Sequence, residues 1–119
     1  MSQRQTKVDV WNAFVLDMIG IQIDGRIVFI NTVGAELLGA VCPEQVVGKP
    51  VMDFIHPDWR GLAAERVRQV TAEGVEVPPS REKWMRLDGT TIDVEVVFTP
   101  LNYNGKRAVQ FIARDATGK

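Results

Sequence analysis

The segment from residue 88 to residue 98 constrains the fold more than any other part of this chain. Apolar and mostly polar positions alternate along it with a period of two: one face carries Ile92, Val94, Val96 and Phe98, and the other carries Asp93, Glu95 and Val97. This period predicts a β-strand with one buried face. Asp88-Gly89 before it and Asn104-Gly105 after it favour tight hairpin turns, because these dipeptides tolerate positive φ. The sequence therefore predicts a three-stranded antiparallel meander whose apolar face needs a cover.

Further strands are predicted on the N-terminal side of this meander. Residues 18–24 and 26–30 form two candidate strands that meet at Asp24-Gly25, a third hairpin dipeptide. The meander itself begins with a strand at about residues 82–87 and ends with one at 108–114. Together these segments predict a five-stranded antiparallel sheet.

Helices are predicted between the two groups of strands. Asn31 is a favourable N-cap for a short helix that exits at Gly39. Pro57 opens a longer helix that ends at Gly74, since proline suits the first helical position and glycine the exit. This order of elements predicts a single α+β domain, with short helices and one longer helix collected on one face of the sheet.

An amphipathic helix is predicted ahead of the first strand, over residues 1–17, so that residues 18–119 form the domain proper. Its apolar stripe follows a 3-4-3 spacing and consists of Val8, Trp11, Val15 and Met18. Tryptophan and methionine are typical of interface cores. We therefore expect this stripe to form a two-fold homodimer contact or to fold back on its own sheet.

Composition excludes several classes of function. A net charge of −1 lacks the excess of positive charge that is typical of nucleic-acid-binding domains. The single cysteine, Cys42, excludes an internal disulfide and a multi-cysteine metal site. No apolar run approaches the ~20 residues that a membrane-spanning helix needs. We expect a soluble, cytoplasmic chain with no direct membrane insertion.

Catalytic signatures are absent from the sequence. It contains no phosphate-binding glycine loop, HExxH motif or nucleophile elbow. The one histidine, His56, precedes Pro57 at a helix start, where capping or packing is its expected role. We therefore predict no enzymatic activity, no catalytic residues and no metal site.

Several short motifs, taken in order, resemble the PAS domain family. They lie in sequence as DGRIVFIN at residues 24–31, LLG at 37–39, VGK at 47–49, HPD at 56–58, LDGT at 87–90 and RDAT at 114–117. The resemblance covers about residues 17–117, and it is the ordered set that is specific. It implies the PAS fold, a five-stranded antiparallel sheet with helices across its concave face.

The resemblance also implies a role in signalling. PAS domains serve as input or dimerisation modules of bacterial histidine kinases, cyclic-dinucleotide enzymes and transcriptional regulators. It therefore implies a homodimer and a covalently attached output domain as partners. The Asp-x-Thr motif of Asp115 and Thr117 matches the family's point of signal output.

A small-molecule pocket between sheet and helices is a further implication. The eleven apolar residues that we predict as its walls are Ile21, Ile23, Phe29, Leu38, Met52, Phe54, Ile55, Leu62, Val96, Phe98 and Phe111. The alternative is that they simply form a fully packed core, in which case the domain acts by protein–protein contact.

The sequence does not identify a cofactor. Haem needs an axial ligand, usually a histidine in the long helix, and residues 58–73 contain none. A cysteine-linked flavin requires an Asn-Cys-Arg-Phe-Leu motif, and Cys42 has no such surroundings. A haem or non-covalent flavin redox sensor is therefore a second alternative.

Overall fold

The computed structural model describes residues 17–117, which contain one five-stranded antiparallel sheet. Its strands are β1 (Met18–Ile23), β2 (Arg26–Ile30), β3 (Ser80–Met85), β4 (Thr91–Tyr103) and β5 (Lys106–Asp115). Their spatial order is β2-β1-β5-β4-β3, so β5 occupies the centre. This confirms the predicted α+β arrangement. The helix predicted over residues 1–17 lies outside the described residues, apart from Asp17.

Four helical segments connect β2 to β3. They are α1 (Thr32–Leu37), two 3₁₀ turns (Pro43–Gln45 and Val51–Phe54) and the longer α2 (Pro57–Glu73). Caps define the two α-helices, as the sequence predicts. Asn31 Oδ1 accepts a hydrogen bond from Gly34 N at 2.8 Å, and His56 Nδ1 accepts one from Asp58 N at 3.1 Å. Gly74 ends α2 with a left-handed φ of 65°.

Asn31 also fixes the entry into the sheet. Its Oδ1 accepts a second hydrogen bond from Ile19 N at 3.0 Å, and its Nδ2 donates to Asp17 O at 3.0 Å. One side chain thus satisfies backbone groups of both β1 and α1. The start of the sheet and the start of the helical layer are therefore held in one place.

The hairpin turns follow two different geometries. Both residues of Asp24-Gly25 and of Asn104-Gly105 have positive φ, as a two-residue hairpin turn requires. At Asp88-Gly89 only Gly89 does, which corrects the prediction that both residues have positive φ. There, Asp88 Oδ1 accepts hydrogen bonds from Thr90 N and Oγ1 at 2.9 and 2.7 Å, so a side chain stabilises the wider turn.

The core lies between the helices and the face of the sheet that we call the inner face. The predicted apolar face of β4 is part of it, with Ile92, Val94, Val96 and Phe98 all buried. Phe111 of the central strand is paired with Phe98, and its ring lies 5.7 Å from that of Trp84. On its other side it faces Gly20 of β1. The central ring thus touches residues of three other strands.

The segment that links α1 to α2 covers both edges of the sheet. Gly48 N donates to Ile27 O at 2.7 Å, and Ile27 N donates to Lys49 O at 3.0 Å, along the edge strand β2. At the opposite edge, His56 N donates to Lys83 O at 2.9 Å. The free edges that could template further strand pairing are thereby blocked.

Replacement of Gly20 by alanine should destabilise the domain, because the new Cβ would overlap the Phe111 ring. Overpacking of a close-packed core costs about 1–3 kcal/mol. Urea unfolding measures the loss. Gly61→Ala is the matched control: nothing lies within 4 Å of its added Cβ, and alanine in an exposed helix interior stabilises by about 0.5–1 kcal/mol. Equal stability of the two variants would contradict this account of Gly20.

Candidate functional site

A cleft of about 590 Å³ opens between α2 and one end of the sheet. Its volume lies in the ordinary range for small-molecule sites. Its walls come from four regions: the end of β1, the 3₁₀ turn at Val51 and Met52, the C-terminal half of α2, and the start of β5. Most of this lining is apolar, including Val67, Ala108 and Val109.

Gln22 is the unusual residue of this lining. It lies on the inner face of β1, paired with Ile27 on one side and Val109 on the other, and only 3% of its surface is exposed. Its Oε1 is buried and has no hydrogen-bond partner among residues 17–117. A buried acceptor without a partner costs about 1–3 kcal/mol, so such an atom in a natural protein calls for an explanation.

Charged side chains lie at the rim of the cleft. Arg107 Nη1 donates to Thr71 O at 3.2 Å and so joins β5 to α2. Arg68 is paired with Glu65 at 2.7 Å and with Glu73 at 3.7 Å. Asp24, in the β1–β2 turn, adds a carboxylate to the same rim. The rim therefore contains both signs of charge.

The predicted pocket and this cleft overlap at a single residue. Of the eleven predicted wall residues, all of them described, Met52 lines the cleft. Six others are fully buried members of the core, as the packed-core alternative expects: Leu38, Phe54, Ile55, Val96, Phe98 and Phe111. None of these six side chains lines the cleft.

The structure places the remaining four predicted wall residues away from the cleft, so the prediction was wrong for them. Gly20 and Gln22 face the helices, so Ile21 and Ile23, which alternate with them, point to the opposite, outer face. Phe29 is paired with Ile21 and shares that outer face. Leu62 lies on α2 but is 41% exposed, on the side of the helix that faces away from the core.

A β-bulge explains why strict alternation predicts the wrong core-facing residues in β2. The register shifts between Ile21 and Gln22, so that Gln22 is paired with Ile27 while Ile21 is paired with Phe29. Val28 is the extra residue. Ile27 and Ile30 both reach the core despite their odd spacing, and Phe29 does not.

The predicted dimer stripe also needs one correction. Met18 is the first residue of β1, has no exposed surface and belongs to the core. It is therefore unavailable for a contact between protomers. Val8, Trp11 and Val15 lie outside the described residues.

Glu82 is the second buried polar residue that the sequence predictions missed. It lies on the inner face of β3 with 1% of its surface exposed. Trp84 Nε1 donates to its Oε1 at 3.0 Å, and Ser80 Oγ donates to its Oε2 at 3.2 Å. Burial raises the pKa of Glu82, and these two donors and the charge of Arg66 oppose that effect. Alternation with Trp84 along β3 is the sequence signal that could have found it.

The C-terminal end of β5 is tied to the start of β4. Ala116 N donates to Asp93 O at 2.8 Å, and Asp93 N donates to Thr117 Oγ1 at 3.3 Å. Asp115 Oδ1 accepts from Thr117 N at 2.9 Å, which closes a local turn. The predicted output residues are therefore next to one another in an ordered exit from the sheet.

The entry into the sheet lies beside that exit. The carboxylate of Asp17 forms two contacts of 3.3 Å with the guanidinium of Arg114, the residue before Asp115. A side chain at the start of the described chain is thus paired with one near its end.

Comparison with known proteins identifies the family. A family model described as a PAS domain matches residues 14–118. The chain is a PAS domain. A PAS domain structure from Colwellia psychrerythraea superposes with a TM-score of 0.81 at 19% identity, covering 98% of this chain and 100% of that one. A domain of a sensory box sensor histidine kinase/response regulator from Geobacter sulfurreducens superposes with a TM-score of 0.77 at 16% identity, covering 97% and 100%.

A curated relative is much longer than this chain. Sporulation kinase A of Bacillus subtilis (strain 168) is 28% identical over 99 residues, which is 83% of this chain but 16% of that protein. The PAS domain thus spans about one sixth of the length of this relative. Within residues 17–117, no helix combines the length and the apolar character that crossing a membrane demands.

The buried Glu82 should make the stability of this PAS domain depend on pH. Its folded-state pKa is raised above the ordinary value of 4.5, so the folded state binds the proton more tightly than the unfolded state. The free energy of unfolding due to Glu82 is therefore highest below pH 4.5 and falls as the pH rises through the folded-state pKa. Glu82→Gln, which stays neutral, should gain stability relative to wild type as the pH rises.

Urea unfolding of both proteins at several pH values between 4 and 8 measures this difference. Subtraction of one curve from the other removes the contribution of the exposed carboxylates that both proteins share. A difference that does not change with pH would contradict the assignment to Glu82.

Proposed function

We propose that this PAS domain is the sensory input module of a larger signalling protein and binds a small molecule in the cleft beside α2. The single observation that carries the proposal is Gln22, which lines a cleft of ligand size and whose buried Oε1 has no partner within the described residues. In this role the domain catalyses no reaction itself. In support, the cleft-lining residues include no histidine or cysteine that could act as a base or nucleophile.

Strand β5 offers a direct connection from the cleft to the exit. Ala108 and Val109 line the cleft, and Asp115 ends the same strand. A strand rises about 3.3 Å per residue, so the two ends are about 20 Å apart. A ligand that packs against Val109 shifts the output only if it binds two arrangements of this strand unequally. The proposed receiver is an attached histidine kinase, cyclic-dinucleotide enzyme or transcription regulator.

A second candidate function is a dimerisation module without a ligand. The outer face of the sheet favours it, because apolar side chains that are only partly buried lie there on three strands: Phe29, Val97 and Ile112. The packed core behind the cleft favours it too. In this case two protomers would meet through the outer face and the stripe of Val8, Trp11 and Val15.

Native mass spectrometry of the freshly purified chain should show extra mass on the 13.3 kDa protomer. The size of that mass separates a metabolite from haem or flavin. A bare protomer that assembles as a dimer, and becomes monomeric on Trp11→Asp, would favour the second candidate instead. A ligand-bearing monomer would support the sensory proposal alone.

Asp115→Ala in the full-length parent should uncouple the output from the input, because it removes the acceptor that orders Thr117. Because Asp115 is solvent-exposed, its substitution should cost the domain itself only about 1 kcal/mol. The output activity with and without stimulus is measured beside the melting curve of the isolated domain. Regulation that survives in the variant would contradict the proposed exit.

A further inference from the structure

We propose that the ligand of the cleft is a compact, uncharged, largely apolar molecule that donates one hydrogen bond, from N–H or O–H, to Gln22 Oε1. This inference rests on the proposed function and assigns its ligand a chemical class. Three features of the described residues support it: the unpaired acceptor, the aliphatic walls and the mixed charge of the rim.

The unpaired acceptor sets the hydrogen-bonding requirement. Gln22 is held in the sheet between Ile27 and Val109, so its backbone cannot move away from the cleft. Its terminal amide torsion is broad, so rotation about it can turn Oε1 from its buried position towards the cleft. A molecule with a suitably placed donor then satisfies an atom that the unliganded protein leaves unpaired. A molecule without a donor leaves that atom unpaired.

The walls set the shape and polarity. Val51, Val67 and Val109 offer only aliphatic surface, and Met52 adds a flexible thioether that packs well against aromatic rings. A flat ring system of modest size would bury its faces against these side chains. Polar groups of the ligand that lie against these apolar side chains would find no hydrogen-bond partners there.

The mixed charges at the rim disfavour a charged ligand. The carboxylates of Glu65 and Glu73 offset the charge of Arg68, and Asp24 opposes that of Arg107. An anion and a cation would each meet repulsion beside attraction at this mixed rim. Neither sign is selected, whereas an uncharged ligand avoids the cost of desolvating a charge in the cleft.

Indole and benzofuran form a matched pair of probes for this inference. They share one ring shape, but indole has an N–H donor where benzofuran has an oxygen. Titration into the 119-residue chain, followed by amide chemical shifts, should show indole binding about ten-fold more tightly, as expected for one buried hydrogen bond. The largest shifts should be at the amides of Gln22, Met52 and Val109.

Gln22→Leu should abolish that preference, because leucine retains the volume and removes the acceptor. Gln110→Leu is the matched control. It makes the same substitution on β5, but Gln110 is paired with Ile21 and so lies on the outer face. This variant should keep the ten-fold preference for indole.

Each other outcome overturns a separate part of the argument. Equal binding of the two probes, or a preference that survives Gln22→Leu, would overturn the donor assignment and leave ligand binding in the cleft intact. Tighter binding of benzofuran would mean that the amide presents Nε2, which would also overturn it. If neither probe binds and the purified chain bears no extra mass, the proposed ligand-binding function fails with it.

Discussion

The packing of Phe111 holds the inner face of this domain together. Its strand is the central one, and its ring meets Gly20 on one side and Trp84 and Phe98 on the other. A ring of this size fits so close to β1 only where no side chain is present. The helices then cover a surface that is already continuous across the sheet, which is why one substitution at Gly20 should weaken the whole domain.

The proposed function also depends on the central position of strand β5. Strand β5 begins beside the cleft, passes under the core at Phe111 and ends at the Asp115 turn. Close-packed interiors move between discrete arrangements and do not deform continuously. In the proposed function, a change at Val109 reaches the exit through a strand that hydrogen bonds on both sides hold in register.

The two buried polar residues illustrate different solutions to the same physical problem. Glu82 has donors for both oxygens within the protein, from Trp84 and Ser80, and it affects stability through its proton. Gln22 has an oxygen for which residues 17–117 provide no donor. The first arrangement is complete in itself, whereas the proposed function has the second completed by a bound ligand. On that proposal, Glu82 is a structural group and Gln22 a binding group.

The order of elements followed from the sequence because its signals are local. Period-two alternation in β4, positive-φ dipeptides at two turns, the N-cap Asn31 and the helix-opening Pro57 depend only on neighbouring residues. The ordered set of motifs was enough to indicate the PAS fold, even though the chain is only 19% identical to the PAS domain from Colwellia psychrerythraea.

The face of β1 that meets the helices was decided by the tertiary structure alone. Alternation shows that Ile19, Ile21 and Ile23 share a face, and their hydrophobicity favours that face for the core. The opposite face, with Gly20 and Gln22, is the one that meets the helices, because only Gly20 leaves room for Phe111. The bulge at Val28 then changed which residues of β2 face the core. The candidate site depends on these long-range contacts, so Gln22 could be recognised as its central residue only after the strands were packed together.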